Sequence, residues 1–184
     1  MEKDLFALSN FNYDLPKNLI AQDPLNERDS SRLLVVNRKN SRLSEIVFKD
    51  IVELLNKDDA LVLNDTRVIK ARLTGKNKTG GKIEVLLLKE KEKGIWETLV
   101  NPGKKARLGE KISFEKEGFY AKTIDKTLQG GRLLEFFPQD FTSFLNEVGK
   151  PPLPHYIKKE IDDFEKYQTI YSKKEGAVAA PTAG

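Results

Sequence analysis

The middle of the chain carries six runs in which apolar and polar residues alternate as they do in β-strands. The runs are VIKARLTG, GKIEVLLLKE, GIWETLV, EKISFEK, FYAKTID and GRLLEFF, separated by turn sequences such as KTGG, NPGKKARLG and QGG. Short strands about 8–14 residues apart, with no helix between them, are typical of a small antiparallel barrel or sandwich. We predict a six-stranded barrel, because closing the sheet removes its exposed edges.

The segment before these runs has a mixed pattern. RLLVVNRKNSRLSEIVF holds two apolar runs around a turn and predicts a hairpin, and FKDIVELLNKDD has apolar residues at helical spacing. ALVLN, residues 60–64, is a short continuous apolar run of the kind found in buried strands. A helix followed by a buried strand predicts an α/β layer.

Helical patterns return after the six runs. Apolar residues between Phe141 and Val148 share one helix face, with Gly149 as the C-cap, and DDFEKYQTIYS predicts a further short helix capped by Asp162 or Asp163. The predicted fold class is therefore an α/β domain, incomplete here, interrupted by an inserted small antiparallel six-stranded β-barrel domain. We place the first part of the α/β domain at residues 1–66, the barrel at 67–138 and the return to the α/β domain at 139–184.

Composition narrows the chemistry. The 184 residues are 39% hydrophobic and 33% charged, which is typical of a globular protein. Cysteine is absent and His155 is the only histidine, so the chain has no thiolate chemistry and few groups for metal or triad sites. We expect no metal. The net charge of +4 is compatible with a polyanionic partner and does not by itself indicate one.

No window approaches the roughly 18 consecutive apolar residues of a membrane span. The start MEKDLFALSN has acidic residues where a secretory signal has cations followed by an apolar run. We therefore expect a cytoplasmic protein with no membrane partner, and we expect a monomer.

The strongest candidate site lies in LVLNDTRVIKARL, where the predicted buried strand is followed by Asn64, Asp65, Thr66 and Arg67. Polar residues at this end of a strand often form the sites of α/β proteins. Asp65 can accept a proton or bind ribose hydroxyls, and Arg67 can hold a carboxylate or phosphate. The alternative is an Asx turn with a surface ion pair.

Two other stretches carry cations that can meet anionic ligands. NPGKKARLGEK places Lys104, Lys105 and Arg107 in a loop between strands, where they can contact the phosphates of RNA or simply be solvated. NERDSSRLLVV places Arg32 just after a pattern that is also typical of a capped turn. KTGGKIE lacks the G-x-G-x-x-G spacing of a dinucleotide loop.

Seven stretches, taken together and in order, resemble the S-adenosylmethionine:tRNA ribosyltransferase-isomerase family of queuosine biosynthesis. They are FNYDLPKNLIAQDPLNERDSSRLLVV, LVLNDTRVIKARL, GGKIEVLLL, LVNPGKK, PLPHYIK, YQTIYS and GAVAAPTAG. The resemblance covers nearly the whole chain. It implies an α/β domain interrupted by a small β-barrel, in agreement with the prediction made from the apolar pattern.

The resemblance also implies a reaction. The family transfers and isomerises the ribosyl group of S-adenosylmethionine, its co-substrate, onto 7-aminomethyl-7-deazaguanine at the wobble position of tRNA. Epoxyqueuosine is formed, and adenine and methionine are released. A base removes a proton from the carbon beside the sulfonium before adenine leaves.

Site residues follow from the matched motifs. We assign Asp65 and Arg67 as catalytic residues, with Asp65 as the candidate base and Arg67 or Arg32 as the holder of the methionine carboxylate. Lys104, Lys105 and Arg107 are assigned to tRNA binding. The substrate-binding residues expected from the motifs are Arg32, Asn64, Thr66, Tyr167, Gln168, Thr169, Thr182, Ala183 and Gly184.

The sequence departs from the family pattern at two places. His155 stands where the family has a proline in P-L-P-P-Y-I, which argues against a catalytic role for this histidine. The family pattern also continues beyond P-T-A-G, so we expect this chain to hold about half of the enzyme and to be inactive alone.

Two other functions compete with this interpretation. One is a non-catalytic RNA-binding β-barrel module that uses the basic loop. The other is an S-adenosylmethionine-dependent methyltransferase, which the missing glycine fingerprint after a first strand argues against.

Overall fold

The computed structural model describes residues 4–181 of the chain. The chain divides into two compact units. Unit 1 comprises Met1–Asp59 and Pro154–Glu160, and unit 2 comprises Ala60–Leu153 and Ile161–Gly184. The domain limits expected from the sequence, after residues 66 and 138, stay a prediction.

Unit 1 is organised around one β-hairpin. Strand β1 (Arg32–Asn37) pairs antiparallel with β2 (Arg42–Val47), with Arg32 opposite Val47 and Asn37 opposite Arg42. This confirms the predicted hairpin. Four 3₁₀ helices accompany it: Leu8–Phe11, Lys17–Leu19, Arg28–Ser30 and Phe48–Leu54.

The last of these helices is the one predicted from the apolar spacing after the hairpin. It forms as a 3₁₀ helix, whose side chains repeat every three residues. Val52 and Leu54 remain exposed, and no described residue of unit 1 is fully buried. The helix therefore lacks the packed apolar face that stabilises most protein helices.

The buried strand predicted at residues 60–64 is wrong. Leu61, Val62 and Leu63 are 69%, 89% and 52% exposed, and no strand pairs with this run among residues 4–181. A strand needs both a hydrogen-bonding partner and cover for its side chains. The first strand of unit 2 begins later, as β3 (Thr66–Val68).

The six predicted barrel strands all form and close. They are β4 (Arg72–Asn77), β5 (Lys82–Glu92), β6 (Ile95–Asn101), β7 (Lys111–Phe114), β8 (Tyr120–Lys126) and β9 (Arg132–Phe137). Their antiparallel order is β4-β5-β6-β9-β8-β7, and β4 pairs with β7 to complete the ring. This confirms the barrel of the predicted fold class.

The barrel interior explains the alternation in the sequence. Inward-facing side chains from all parts of the ring are inaccessible to solvent, among them Leu73, Ile83, Val85, Leu87, Ile112, Ala121, Leu134 and Phe136. Gly75 lies where β4 meets β7. A Cβ at Gly75 would lie 2.7 Å from Ile112 Cγ2 and 2.9 Å from the Ser113 carbonyl oxygen, so this crossing requires glycine.

Helix α1 (Thr142–Val148) packs on the barrel and ends at Gly149, as predicted. Phe141 and Leu145 are buried, and the Phe141 ring stacks on Phe136 with 4.4 Å between ring centroids. After α1, a 3₁₀ helix (Phe164–Tyr167) begins at Asp163, whose carboxylate accepts the Glu165 N–H at 2.9 Å. The predicted cap is therefore confirmed.

The chain then adds β10 (Lys174–Ala177), which pairs parallel with β3. The register places Lys174 opposite Thr66 and Glu175 opposite Arg67. This parallel pair, outside the barrel, carries the residues that the sequence marked as a site.

Candidate functional site

Asp65 and Arg67 lie at the start of the parallel pair in unit 2. The Asp65 carbonyl oxygen accepts the N–H groups of Lys173 at 2.7 Å and Lys174 at 3.1 Å. The Asp65 carboxylate pairs with Lys174, and the Arg67 guanidinium contacts Glu165 and Ser172, so both side chains meet residues of the 165–174 stretch.

Asn64 and Thr66 form a local turn at this position. Asn64 Oδ1 accepts the Thr66 N–H at 3.0 Å and the Thr66 hydroxyl at 2.7 Å. This is the Asx-type arrangement that the sequence allowed as an alternative. It orders the backbone beside Asp65, and the predicted substrate-binding roles of these two residues stay predictions.

Asp65 keeps an accessible carboxylate. Its side chain is 44% exposed, and its ion pair with Lys174 is a long contact of 3.5 Å from Oδ2 to Nζ. An exposed pair at this separation contributes little to stability. The carboxylate can therefore accept a proton or a cation from a ligand.

Arg67 is more tightly held. Its guanidinium forms an ion pair with Glu165 and donates to Ser172 Oγ at 3.2 Å. The hydrogen bond and charge of Glu165, with a smaller contribution from Glu175, outweigh desolvation and raise the pKa of Arg67 above its usual value. Arg67 is thus a permanent cation, and a carboxylate ligand would have to share or replace Glu165.

A cavity of about 110 Å³ adjoins Arg67. Arg67, Lys70 and Glu175 supply its charged walls, while Leu145 and Phe164 supply apolar ones. The volume suits a small group, because about 10–15 Å³ of such space is enough to hold one water. A carboxylate-sized portion of a ligand fits it.

Gln168, predicted to bind substrate, is engaged with the backbone. Its side chain is buried, its Oε1 accepts the Val68 N–H at 2.8 Å and its Nε2 donates to the Val68 carbonyl at 2.9 Å. The neighbouring Tyr167 hydroxyl lies 3.5 Å from the Pro152 carbonyl oxygen, and Thr169 Oγ1 is buried without a partner among the described residues. Their substrate contacts stay predictions.

Arg32 lies in unit 1, on β1. It is 80% exposed and its Nε donates to Glu45 Oε1 at 2.8 Å. The hydrogen bond and charge of Glu45 raise the pKa of Arg32, and the hydrogen bond from Arg32 lowers the pKa of Glu45. Arg32 belongs to unit 1, whereas Asp65 and Arg67 belong to unit 2, and Arg32 as a carboxylate holder remains a prediction.

The predicted tRNA-binding residues lie at one end of the barrel. A 3₁₀ helix (Gly103–Lys105) carries Lys104 and Lys105, and Arg107 follows it in the loop before β7. All three border an open groove together with Lys78. Thr182, Ala183 and Gly184 lie outside the described residues.

Residues 4–181 contain no cluster of three or more His, Cys, Asp or Glu side chains arranged to hold a metal. None of their helices is long and apolar enough to cross a membrane.

Comparison with known proteins identifies the family of the chain. The sequence profile of a family described as "Queuosine biosynthesis protein" matches residues 8–184. The chain belongs to this family. The resemblance inferred from the seven motifs is thereby confirmed.

Three curated relatives are named S-adenosylmethionine:tRNA ribosyltransferase-isomerase. The protein of Acetivibrio thermocellus is 50% identical over 179 residues and that of Desulforamulus reducens 48% over 179, each match covering 96% of this chain and 52% of the relative. That of Clostridioides difficile is 49% identical over 176 residues, covering 95% and 52%. The chain spans about half the length of the curated relatives it matches.

A solved structure is also similar. The crystal structure of S-adenosylmethionine tRNA ribosyltransferase from Thermotoga maritima is 40% identical, with a TM-score of 0.40, over 80% of this chain and 52% of that one.

Several residues of the site had no signal in the local sequence. Glu165 and Ser172 contact Arg67 from 98 and 105 positions away along the chain, and β10 brings Lys174 and Glu175 beside β3. Lys78 joins the basic groove from a different hairpin. A motif search confined to contiguous stretches misses contacts of this kind.

Proposed function

We propose that this chain contributes to an enzyme that transfers and isomerises the ribosyl group of S-adenosylmethionine onto 7-aminomethyl-7-deazaguanine at the tRNA wobble position. Epoxyqueuosine is the product, with adenine and methionine released. The observation that carries the proposal is family membership combined with the position of Asp65 and Arg67 at the start of the β3–β10 pair, where Lys173 and Lys174 donate to the Asp65 carbonyl oxygen.

Asp65 is the proposed base. A sulfonium makes the hydrogens of its neighbouring carbon acidic, and an accessible carboxylate attracts that positive charge while it accepts the proton. The long contact to Lys174 Nζ leaves the Asp65 carboxylate able to turn toward a ligand. The activating charge comes from the sulfonium itself, so the proposed reaction needs no metal.

Arg67 is the proposed holder of the methionine carboxylate. Its planar fork matches a carboxylate, and its Nη2 already pairs with one oxygen of the Glu165 carboxylate while its Nη1 donates to Ser172 Oγ. We propose that the substrate carboxylate displaces Glu165 from Arg67 when it binds. The residues around the 110 Å³ cavity then surround the methionine end of the substrate.

The test measures adenine release from S-adenosylmethionine in the presence of substrate tRNA. Because the chain spans half of its relatives, we compare it alone with a chimera in which it replaces the matching half of the Acetivibrio thermocellus relative. In the active protein, Asp65→Asn should reduce the rate at least about 100-fold, the usual contribution of a positioned base. An unchanged rate would remove Asp65 from this role.

A non-catalytic RNA-binding module is the second candidate, and the basic groove at the barrel end favours it. It predicts tRNA binding with no adenine release from either the chain or the chimera. Under the first proposal we place the protein in the cytoplasm, where its tRNA substrate is, and expect it to act as a monomer.

A further inference from the structure

A groove of about 360 Å³ opens at one end of the barrel, between the β4–β5 turn and the β6–β7 loop. Four cationic side chains and a single carboxylate border it: Lys78, Lys104, Lys105, Arg107 and Glu110. Within residues 4–181, the side chains of Lys78, Lys104 and Arg107 form no ion pair or hydrogen bond. The groove therefore presents an unneutralised positive charge on an ordered rim.

The β4–β5 turn is ordered without any help from Lys78. Asn77 Oδ1 accepts the Gly81 N–H at 2.8 Å, the Thr79 N–H at 3.2 Å and the Thr79 hydroxyl at 2.9 Å. Gly80 adopts the positive φ of 77° that this tight turn requires. Lys78 thus stands at the tip of a rigid turn with its ammonium group available to a ligand.

The opposite rim is held by Arg132, at the start of β9. Its Nη2 donates to the Gly103 carbonyl and its Nε to the Ala106 carbonyl, each at 2.9 Å. Its Nη1 donates to the carbonyls of Gly130 and Gly131 at 3.0 and 2.9 Å. A single guanidinium therefore fixes both ends of the short helix that carries Lys104 and Lys105.

Lys105 connects the two rims. Its Nζ lies 3.4 Å from the Lys82 carbonyl oxygen and passes directly over Gly81. A Cβ at Gly81 would lie 2.9 Å from this nitrogen, so the absence of a side chain there makes room for the ammonium group. Cations from two separate loops are thereby held around one groove.

We propose that this groove binds the phosphodiester backbone of RNA through Lys78, Lys104, Lys105 and Arg107, and that Arg132 is a positioning residue for the loop. The inference rests on the proposed function, which supplies tRNA as the RNA. It adds Lys78 and Arg132 to the site. Fixed loops lose little conformational entropy on binding, and phosphate contacts of this kind set the position of a nucleic acid rather than read its sequence.

The test compares tRNA affinity and its salt dependence in matched variants of this chain. Fluorescence anisotropy with a labelled tRNA transcript is measured between about 50 and 200 mM salt, where phosphate contacts weaken strongly. Lys78→Gln should lower affinity by about 3- to 10-fold at low salt and make the slope of log affinity against log salt shallower by about one. Lys93→Gln, at an exposed position in the β5–β6 turn, makes the same charge change at the other end of the barrel and should leave both values near wild type. Equal effects of the two variants on affinity and slope would show that tRNA binding depends only on the net charge of the protein. That result would overturn the proposed phosphate contacts at the groove.

Arg132 has a different expected signature. Because it touches backbone carbonyls rather than phosphate, Arg132→Gln should lower affinity with the salt slope unchanged, and Arg132→Lys should restore only part of the loss because it lacks the planar fork. A slope change as large as that of Lys78→Gln, or unchanged affinity, would contradict the positioning role. If Arg132→Gln melts below the assay temperature, the affinity and salt slope of Arg132→Lys alone are compared with those of Lys78→Gln.

Inorganic phosphate at matched ionic strength distinguishes the RNA backbone from an isolated phosphate. Failure of millimolar phosphate to displace tRNA supports the proposal, and displacement that Lys78→Gln abolishes overturns it in favour of a free-phosphate site. The adenine-release assay separates this inference from the proposed function. Groove-dependent tRNA binding without adenine release from the chimera supports the groove and refutes the proposed enzyme. Adenine release by the chimera with no effect of Lys78→Gln on tRNA affinity supports the enzyme and refutes the groove.

Discussion

Replacement of Gln168 by alanine should weaken the attachment of the segment around residue 168 to strand β3, which carries the candidate site. Val68 lies in β3, and its N–H and carbonyl point away from β10, because successive residues of a strand bond to opposite sides. Gln168 supplies both partners on that side, at 2.8 and 2.9 Å. The Gln168 amide thus supplies the two hydrogen bonds that a residue of a third strand would make with Val68.

The magnitude follows from burial. Val68 is 2% exposed, so water cannot readily replace the lost amide. Each hydrogen bond contributes about 0.5–1.5 kcal/mol, and each buried group left unpaired costs about 1–3 kcal/mol. With partial relaxation, Gln168→Ala should cost about 2–4 kcal/mol, which corresponds to a roughly 30- to 1,000-fold change in an opening equilibrium.

Two measurements distinguish local from global loss. Hydrogen exchange at the Val68 amide reports opening of the site, and urea unfolding followed by the only tryptophan, Trp96, reports the barrel. Gln129→Ala, an equivalent change at an exposed turn position, is the control and should be neutral. The Val68 exchange rate and the urea midpoint of Gln168→Ala could instead match those of Gln129→Ala. In that case the two hydrogen bonds between Gln168 and Val68 would contribute nothing to stability.

Gln168→Glu gives the same argument a pH dependence. At low pH the neutral carboxyl retains one donor and one acceptor for Val68, whereas the carboxylate introduced at higher pH is buried without a donor. Burial raises the pKa of that carboxyl above its unfolded value of about 4.3. The stability of Gln168→Glu relative to wild type should therefore be highest below that value and fall as the pH rises through the folded pKa. Urea midpoints measured across pH 4–8 would show this fall. A flat profile would contradict burial of the carboxyl group.

Three further outcomes are expected. Phe136→Ala, inside the barrel, should cost about 3–5 kcal/mol by urea unfolding, whereas Leu128→Ala, at a fully exposed position, should cost nothing measurable. Gly75→Ala should destabilise the barrel by at least about 1–3 kcal/mol because the added methyl overlaps β7; a neutral result would show that β4 and β7 can separate there. The Glu45 carboxyl should titrate below its usual pKa by NMR and return to it in Arg32→Gln, and the stability contributed by this pair should be present at neutral pH and lost as the pH falls through the lowered pKa.

The barrel was predictable because its evidence is local. Strand alternation has a period of two, and turn residues mark each reversal, so residues such as Leu134 and Phe136 identify themselves as inward-facing from their immediate neighbours. The Asp163 cap and the helix that ends at Gly149 depend on equally short stretches. Family membership was predictable for another reason: seven motifs in order are specific even where each alone is weak.

The run Leu61–Leu63 shows where local evidence fails. Its apolar residues have the pattern of a buried strand, yet strand formation depends on a neighbouring chain that pairs with it and covers it. The apolar pattern of a segment describes only that segment. Whether another strand pairs with it depends on how the whole chain folds.

The sequence by itself determined the barrel strands, their turns, the helices Thr142–Val148 and Phe164–Tyr167, and the family, because each is encoded in contiguous residues or in their order. Only the tertiary structure decided that Glu165 occupies Arg67, that Gln168 clamps Val68 and that Lys78 joins the loop held by Arg132. These contacts form between residues far apart along the chain, when strand pairing and barrel closure bring them together. Their energies depend on burial and exact distance, and neither is written in the local pattern of apolar and polar residues.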